Sequence, residues 1–354
     1  MGMVHSFDAT SPPTIRVPEL KNLIKLARRF VFLAFPSLER FFSATRTACF
    51  FNVMSSPTIR VTELKSLIES SPHLLLLDVS SSPRNADEFK EKNLYGNFEE
   101  MTKQWANADY EKEHIPGAVN FKNDVATYPA EYQKQSLYEK DVFEKYARLV
   151  GVNQDSDIVV YGRGAAAGML FASRAWWLLK VYGVEKVRVL EGGLDKWKAE
   201  GGAVTNAVST VKSGNFVAKD LTKQLGITFD EIFRNSASAA KNNLFDGRPA
   251  AQFTGAEPHS FPPNGAPGAH LEGATNMPTP TLLANGEMKS GDELNEVLNA
   301  AGVSTDQDNI TYCNGGTQAT FLALAFAKAG RPFRVFNGSL IEVSRRQPSL
   351  ISGK

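Results

Sequence analysis

The 354-residue chain repeats itself, and that repeat limits the fold more than any other feature. Four landmarks occur in the same order in two halves. Asp78, between Leu77 and Val79, returns as Asp246 between Phe245 and Gly247. A box of His114, Gly117, Ala118 and Asn120 returns as His270, Gly273, Ala274 and Asn276. The apolar run that ends in Tyr161 and Gly162 returns as one ending in Tyr312 and Cys313. Leu190, Glu191, Gly192 and Gly193 return as Phe336, Asn337, Gly338 and Ser339. The spacing shrinks along the chain, from 168 residues between Asp78 and Asp246 to 146 between Gly192 and Gly338, as expected if the first half carries longer loops. A chain with this pattern builds one unit twice.

Within the unit, short apolar runs (residues 74–79, 157–161 and 187–190) alternate with amphipathic stretches (166–182 and 194–199). Strands with helices between them imply an α/β fold, a mainly parallel sheet covered by helices on both faces. Reactive groups in such sheets gather at the carboxyl ends of the strands. Asp78, Asp246, Gly162 and Cys313 all stand at predicted strand ends. Residues 203–222, with Gly214 and scattered Ser, Thr and Asn, carry little periodicity and form the expected linker. The expected domains are therefore residues 54–202 and 223–350.

A second, shorter duplication precedes them. Residues 11–24 (SPPTIRVPELKNLI) and 55–68 (SSPTIRVTELKSLI) agree at 11 of 14 positions, and only the second copy runs on into a predicted strand. The first runs into residues 25–53, rich in Phe and Arg with a single acid, Glu39. Organelle transit peptides have such a composition, although here Asp8 and Glu19 precede it. The simpler expectation is that Met54 is an alternative start and that residues 1–53 are a leader outside either domain.

Apolar residues make up 42% and charged residues 22% of the chain, an ordinary balance for a soluble globular protein. A formal net charge of +1 advertises neither a nucleic acid nor an anionic membrane as partner. Two cysteines, Cys49 and Cys313, argue against a disulfide framework and for a reducing compartment, cytoplasmic or mitochondrial. No run approaches the ~18 apolar residues of a membrane span.

Cys313 stands where the apolar run 309–312 meets Asn314, Gly315, Gly316, Thr317 and Gln318, with a helix expected over residues 319–329. A strand, a tight loop of small residues and a helix start together turn backbone N–H groups inward, and the helix end adds partial positive charge. Both favour negative charge on the sulfur and so a nucleophile. A buried, inert cysteine is the competing reading. No metal or organic cofactor is implied, because there is neither a Cys/His ligand spacing nor a glycine motif opening a dinucleotide-binding unit.

These landmarks, together with Arg174, Trp176 and Trp177 on one predicted helix and Trp197 after the Gly192–Gly193 pair, resemble the tandem-domain rhodanese superfamily of thiosulfate and 3-mercaptopyruvate sulfurtransferases. The resemblance runs from about residue 57 to 349. It implies two tandem rhodanese-like domains, with the cysteine kept in the second and Gly162 in its place in the first. It implies further that Cys313 takes a sulfane sulfur from a small donor, becomes a persulfide, and passes it to a thiol, cyanide or a reduced thioredoxin-like acceptor. The loop N–H groups from Asn314 to Gln318 would cradle the outer sulfur as an oxyanion hole holds oxygen. Cysteine phosphatases need an arginine six positions after the cysteine; that position is Ala319, which argues against them.

Thiosulfate-type loops in the family carry Arg and Lys directly after the cysteine, and mercaptopyruvate-type loops carry Gly and Ser. The loop Asn314, Gly315, Gly316, Thr317, Gln318 is uncharged and lies nearer the second type. By the same resemblance Arg248 binds the anionic donor, while the second arginine of mercaptopyruvate enzymes is replaced by Thr254. His114 is placed in the interdomain cleft, although two copies of its box are equally explained if both histidines fix a turn. The tryptophan usual after the Asn337–Ser339 stretch is Leu340, which implies a wider pocket. A persulfide carrier or binding protein with little turnover is the alternative.

Overall fold

The regular elements follow from the two halves of the repeat. A computed structural model of the chain describes residues 56–81, 86–104, 107–233, 243–258 and 268–353. The expected leader, residues 1–53, lies outside the described residues. The first half contains β1 (Thr58–Ile59), α1 (Val61–Ser70), β2 (Leu74–Ser80), α2 (Ala86–Glu91), α3 (Phe98–Gln104), α4 (Ala108–Lys112) and β3 (Val119–Lys122). It continues with α5 (Lys140–Leu149), β4 (Asp157–Tyr161), α6 (Met169–Val181), β5 (Val187–Leu190) and α7 (Gly193–Ala199). The second half contains α8 (Thr222–Leu225), α9 (Phe229–Phe233), β6 (Asn243–Asp246), α10 (Ala250–Phe253), β7 (Thr275–Asn276) and the small antiparallel pair β8 (Leu283–Ala284) and β9 (Glu287–Met288). It ends with α11 (Gly291–Ala300), β10 (Asn309–Tyr312), α12 (Thr317–Lys328), β11 (Phe333–Val335) and α13 (Ser339–Arg346).

The duplication read from the sequence is also a duplication of topology. The first sheet runs β1-β5-β4-β2-β3 and the second β11-β10-β6-β7, all parallel. Removing β1 makes the two orders identical. The register agrees as well: Asp78 pairs with Tyr161, and Asp246 with Tyr312. Each tyrosine hydroxyl then accepts the N–H that follows the repeated histidine, Ile115 at 2.9 Å and Leu271 at 3.4 Å. In the second half the fifth strand survives as a single parallel bridge from Gly226 to Val335.

Each sheet is buried on both faces, which explains why its strands read as continuous apolar runs. Leu76, Val159, Tyr161 and Leu190 meet Val61, Leu64, Leu194 and Trp197 in the first core. Leu244, Ile310, Tyr312 and Phe336 meet Ile232, Leu340 and Val343 in the second. Both halves belong to one compact unit, Val53–Lys354. They meet along α6 and α12, where Ser173 Oγ lies 3.4 Å from Thr320 Oγ1. The small residues Ala172, Ala319 and Ala323 are buried on these helices. Lys328 at the end of α12 adds an ion pair to the buried Glu191 of the first half.

Two expected helix starts moved. The helix expected from residue 166 begins at Met169, because Ala166 (φ 52°), Ala167 (φ 51°) and Gly168 (φ 76°) occupy the left-handed region. The helix expected from residue 319 begins at Thr317, directly after Gly316 at φ 98°. Residues 203–221 carry neither helix nor strand, and they are fastened rather than loose. Gly214 N–H donates to Arg148 O at 2.8 Å, Lys219 N–H to Tyr182 O at 2.9 Å and Leu221 N–H to Val181 O at 2.8 Å. No helix among the described residues is long and apolar enough to cross a membrane.

Candidate active site

Strand β10 is buried along its whole length and delivers Cys313 to the carboxyl edge of the second sheet. The chain turns there through Asn314, Gly315 and Gly316 and enters α12. The left-handed φ of Gly316 points its N–H back at the sulfur, 3.1 Å from Cys313 Sγ. A side chain on Gly316 would be strained, and it would also collide: a Cβ there would lie 2.7 Å from Asn337 O, 3.1 Å from Asn337 Oδ1 and 3.2 Å from Arg174 Nη1. The N–H groups of the first turn of α12 lack intrahelical acceptors, so the helix adds its partial positive charge at the same point.

A second helix start braces the loop from behind. Cys313 N–H donates to Ser339 Oγ at 3.1 Å, and Ser339 Oγ–H donates to Phe336 O at 2.8 Å. Leu340 and Ile341 N–H donate to Cys313 O and Asn314 O at 3.1 and 3.0 Å. Ser339 itself is held at φ 51°, a left-handed conformation that costs a serine about 1–2 kcal/mol. Strain of this kind persists where the surroundings over-determine it. The sulfur itself is fully buried.

The first half supplies the other wall. Arg174, on α6, is fully buried with its guanidinium 4.9 Å from the centre of the Trp177 ring. Its Nη2 donates to Gln135 O at 3.0 Å, while Nε and Nη1 have no partner. Burial pulls its proton affinity down to about 10, against which negative charge at Cys313 is the first opposing influence. Asn337 Nδ2 ties the same corner to Gln135 O and Gln133 Oε1, both at 2.9 Å. The exposed Lys134 passes over Gly315, its Cδ 4.0 Å from where a Cβ would stand. Sequence reasoning used Arg174 and Ser339 only as landmarks and did not consider Lys134. Only their fully uncharged partner loop hinted that a cation had to come from elsewhere.

Arg248 is buried rather than exposed, and most of its fork is engaged within the chain. Its Nε and Nη2 hold both oxygens of Asp246 at 2.7–3.0 Å, Nη2 also reaches Ala269 O at 2.9 Å, and both side chains are fully buried. Nη1 alone lacks a partner. The arginine lies two residues past the aspartate and folds back on it, which makes the pair a brace for the strand end. Gly247 packs on Gln318 at the start of α12, so this corner does adjoin the cysteine loop. Asn314 Nδ2 donates to Gln252 Oε1 at 3.1 Å, which makes Asn314 a tether between that corner and the loop. Thr254 is exposed at the end of α10.

His114 is fully buried, stacked on Tyr110 at 3.9 Å, with Nδ1 2.6 Å from Tyr110 O and Nε2 3.1 Å from Ala207 O, which favours the turn-fixing reading of the box. One ring nitrogen faces α4 and the other the linker, where Thr205 and His114 form a bridge. His270 does the same for the C-terminal segment: it stacks on Phe253 at 3.7 Å, bonds Phe253 O at 2.8 Å and bridges to Gly353. The repeated box is a clasp in both halves. Trp176, Trp177 and Trp197 are buried packing residues.

The corresponding corner of the first half keeps the frame without the sulfur. Leu194 N–H donates to Gly162 O at 3.0 Å, as Leu340 does to Cys313 O. Asp78 is clamped by Arg163 through both carboxylate oxygens, at 2.5 and 2.8 Å. Among the described residues, no group of three or more His, Cys, Asp or Glu is placed to hold a metal ion.

Comparison with known proteins follows this geometry. The model of the Rhodanese-like domain matches residues 60–200 and again 230–345. The chain is 36% identical over 293 residues to the Caenorhabditis elegans protein mpst-1, whose name assigns it to the thiosulfate sulfurtransferases, covering 78% of this chain and 89% of that one. It is 31% identical to the 3-mercaptopyruvate sulfurtransferase of Escherichia coli K12, covering 67% of this chain and 83% of the relative. The crystal structure of SseA from Escherichia coli superposes with a TM-score of 0.63 at 26% identity, covering 80% of this chain and 99% of that one. The chain belongs to the rhodanese family and carries two rhodanese-like domains in tandem.

Proposed function

We propose that Cys313 is the nucleophile of this chain, a sulfurtransferase of the thiosulfate or 3-mercaptopyruvate type. The observation that carries the reading is the Gly316 N–H directed at Sγ from 3.1 Å at the start of a 12-residue helix. The Cys313 thiolate attacks the donor's sulfane sulfur, forming an S–S bond as the donor's C–S or S–S bond breaks. Mercaptopyruvate then leaves as the enolate of pyruvate, which takes up a proton, and thiosulfate leaves as sulfite. An acceptor thiolate or cyanide next attacks the outer sulfur and Cys313 departs as thiolate, a double displacement with a covalent intermediate. The N–H groups of Gly316, Thr317 and Gln318 hold charge that develops on the outer sulfur.

Mercaptopyruvate is the preferred donor. The cysteine loop has no charged residue to seat a dianion. Lys134 over Gly315, and the one unpartnered N–H of Arg248, suit a single carboxylate. In this reading residues 223–350 carry the sulfur, 54–202 close the site from the other side, 203–222 join them and 1–53 belong to neither. Acceptors are thiols, cyanide or a reduced thioredoxin-like protein in a reducing compartment, cytoplasm or mitochondrion.

Purified protein is incubated with each donor, and thiocyanate or sulfide release is measured beside Cys313→Ser. Turnover is expected with mercaptopyruvate above thiosulfate, and none in the serine variant. Turnover that survives Cys313→Ser refutes the reading. Stoichiometric persulfide without turnover replaces it with a persulfide carrier.

A further inference from the structure

Among the described residues, most buried or half-buried cations use their donors on side-chain partners. Arg248 is held by Asp246, Arg163 by Asp78, Lys328 by Glu191, and Arg331 by the side-chain oxygens of Asn295 and Asn299. Arg174 is fully buried, and among the described residues it forms no ion pair with a carboxylate. Its Nε and Nη1 donors are unused, although buried donors almost always find acceptors. Its one hydrogen bond, to Gln135 O, does not explain its presence, since Asn337 Nδ2 already satisfies that oxygen at 2.9 Å. An unpaired buried charge is costly, and stacking on Trp177 offsets only part of that cost.

Its position supplies the missing partner. The space left by the absent Cβ of Gly316 is bounded by Arg174 Nη1, Asn337 O and the unpartnered Asn337 Oδ1. On the same residue, the Gly316 N–H touches Cys313 Sγ. We propose that Arg174 is the counter-charge of the Cys313 sulfur, a cation carried across the domain interface to hold negative charge first on the thiolate and then on the persulfide. The inference rests on Cys313 being the nucleophile. It explains why the loop from Asn314 to Gln318 needs no cation of its own, and what the cysteine-free first domain contributes. Arg174 acts through the reacting sulfur and its loop; it is a positioning and charge-stabilising residue, while the donor is bound elsewhere.

The test compares Arg174→Gln and Arg174→Lys with wild type and with Cys313→Ser in the full chain. Circular dichroism checks folding, iodoacetamide alkylation of Cys313 is followed across pH, and steady-state kinetics are run with mercaptopyruvate and cyanide. Losing a neighbouring opposite charge costs a group about tenfold in the balance of charged over neutral forms. Arg174→Gln is therefore expected to alkylate about tenfold more slowly at pH 7 and to lose about tenfold in kcat, with donor KM within about twofold. Arg174→Lys is expected to recover much of both. A folded Arg174→Gln protein with wild-type alkylation and kcat overturns the inference, as does a raised KM at unchanged kcat, which would make Arg174 a donor-binding group. Loss of turnover in Cys313→Ser alongside either result leaves the reading of Cys313 standing. Survival of turnover in Cys313→Ser overturns both together.

Discussion

Replacing Arg174 by methionine separates function from stability and gives the inference a thermodynamic test. Lowering an arginine to about 10 by burial corresponds to a cost of about 3 kcal/mol, at roughly 1.4 kcal/mol per tenfold in proton affinity. Methionine removes that cost in nearly the same volume. It also removes the stacking on Trp177, worth about 1–2 kcal/mol for a desolvated pair. The bond to Gln135 O, about 1 kcal/mol, goes too, but Asn337 keeps that oxygen satisfied. The sum predicts that Arg174→Met is as stable as wild type, or more stable by about 1 kcal/mol, while sulfur transfer falls at least about tenfold.

Urea unfolding followed by tryptophan fluorescence, beside the thiocyanate assay, measures both quantities. The sign has a pH signature. The folded protein releases the Arg174 proton at a lower pH than the unfolded chain does, so the cost is present at neutral pH and is relieved as pH rises through about 10. Cys313, Tyr182 and Asp124 face the guanidinium, and all three favour keeping it charged. Any stability advantage of the variant therefore narrows above about pH 10. A loss of more than about 2 kcal/mol at pH 7 would show that Arg174 is holding the domain interface together, and would refute the argument.

Gly316→Ala should fold less stably by about 1 kcal/mol or more and lose at least about tenfold in turnover, because the left-handed turn and the N–H on Sγ depend on a missing Cβ; unfolding and thiocyanate release measured together check this. His114→Ala should lower stability by about 1–3 kcal/mol through the linker contacts it breaks, while donor KM and kcat in the remaining folded protein stay at wild-type values; a raised KM would return His114 to the cleft. Glu231 is held down at about 2: partial burial works against this, but Arg334 and the Thr228 hydroxyl and N–H outweigh it. Its carboxylate therefore contributes stability above the ordinary glutamate range that is lost as pH falls through about 2, so Glu231→Gln should differ from wild type at pH 7 and converge with it in acid unfolding.

Some of this was legible in the chain alone because it is a matter of short-range pattern. Four ordered landmarks announced two copies of one unit, and apolar runs alternating with amphipathic ones announced a parallel sheet in each. Cys313 could be picked out because a strand, small loop residues and a helix start are adjacent in sequence, and Ala319 argued against phosphatase chemistry by a single position. Helix starts were misjudged where alanines enter the left-handed region, since nothing in Ala166 or Ala167 signals that tertiary packing will override their preference.

What a charge faces is different, for it depends on where residues far apart in sequence come together. Arg248 reads as an arginine with its whole fork open until Asp246, two residues earlier, is seen to use most of it. His114 reads equally as a cleft residue or a turn-fixing one until its burial against Tyr110 and Ala207 is seen. Arg174 reads as part of a packing helix until α6 and α12 meet. Only the packing of one domain on the other removes that guanidinium from water without a carboxylate and sets it against Gly316 of the cysteine loop. The proposed nucleophile was written locally; its proposed counter-charge was decided by the interface.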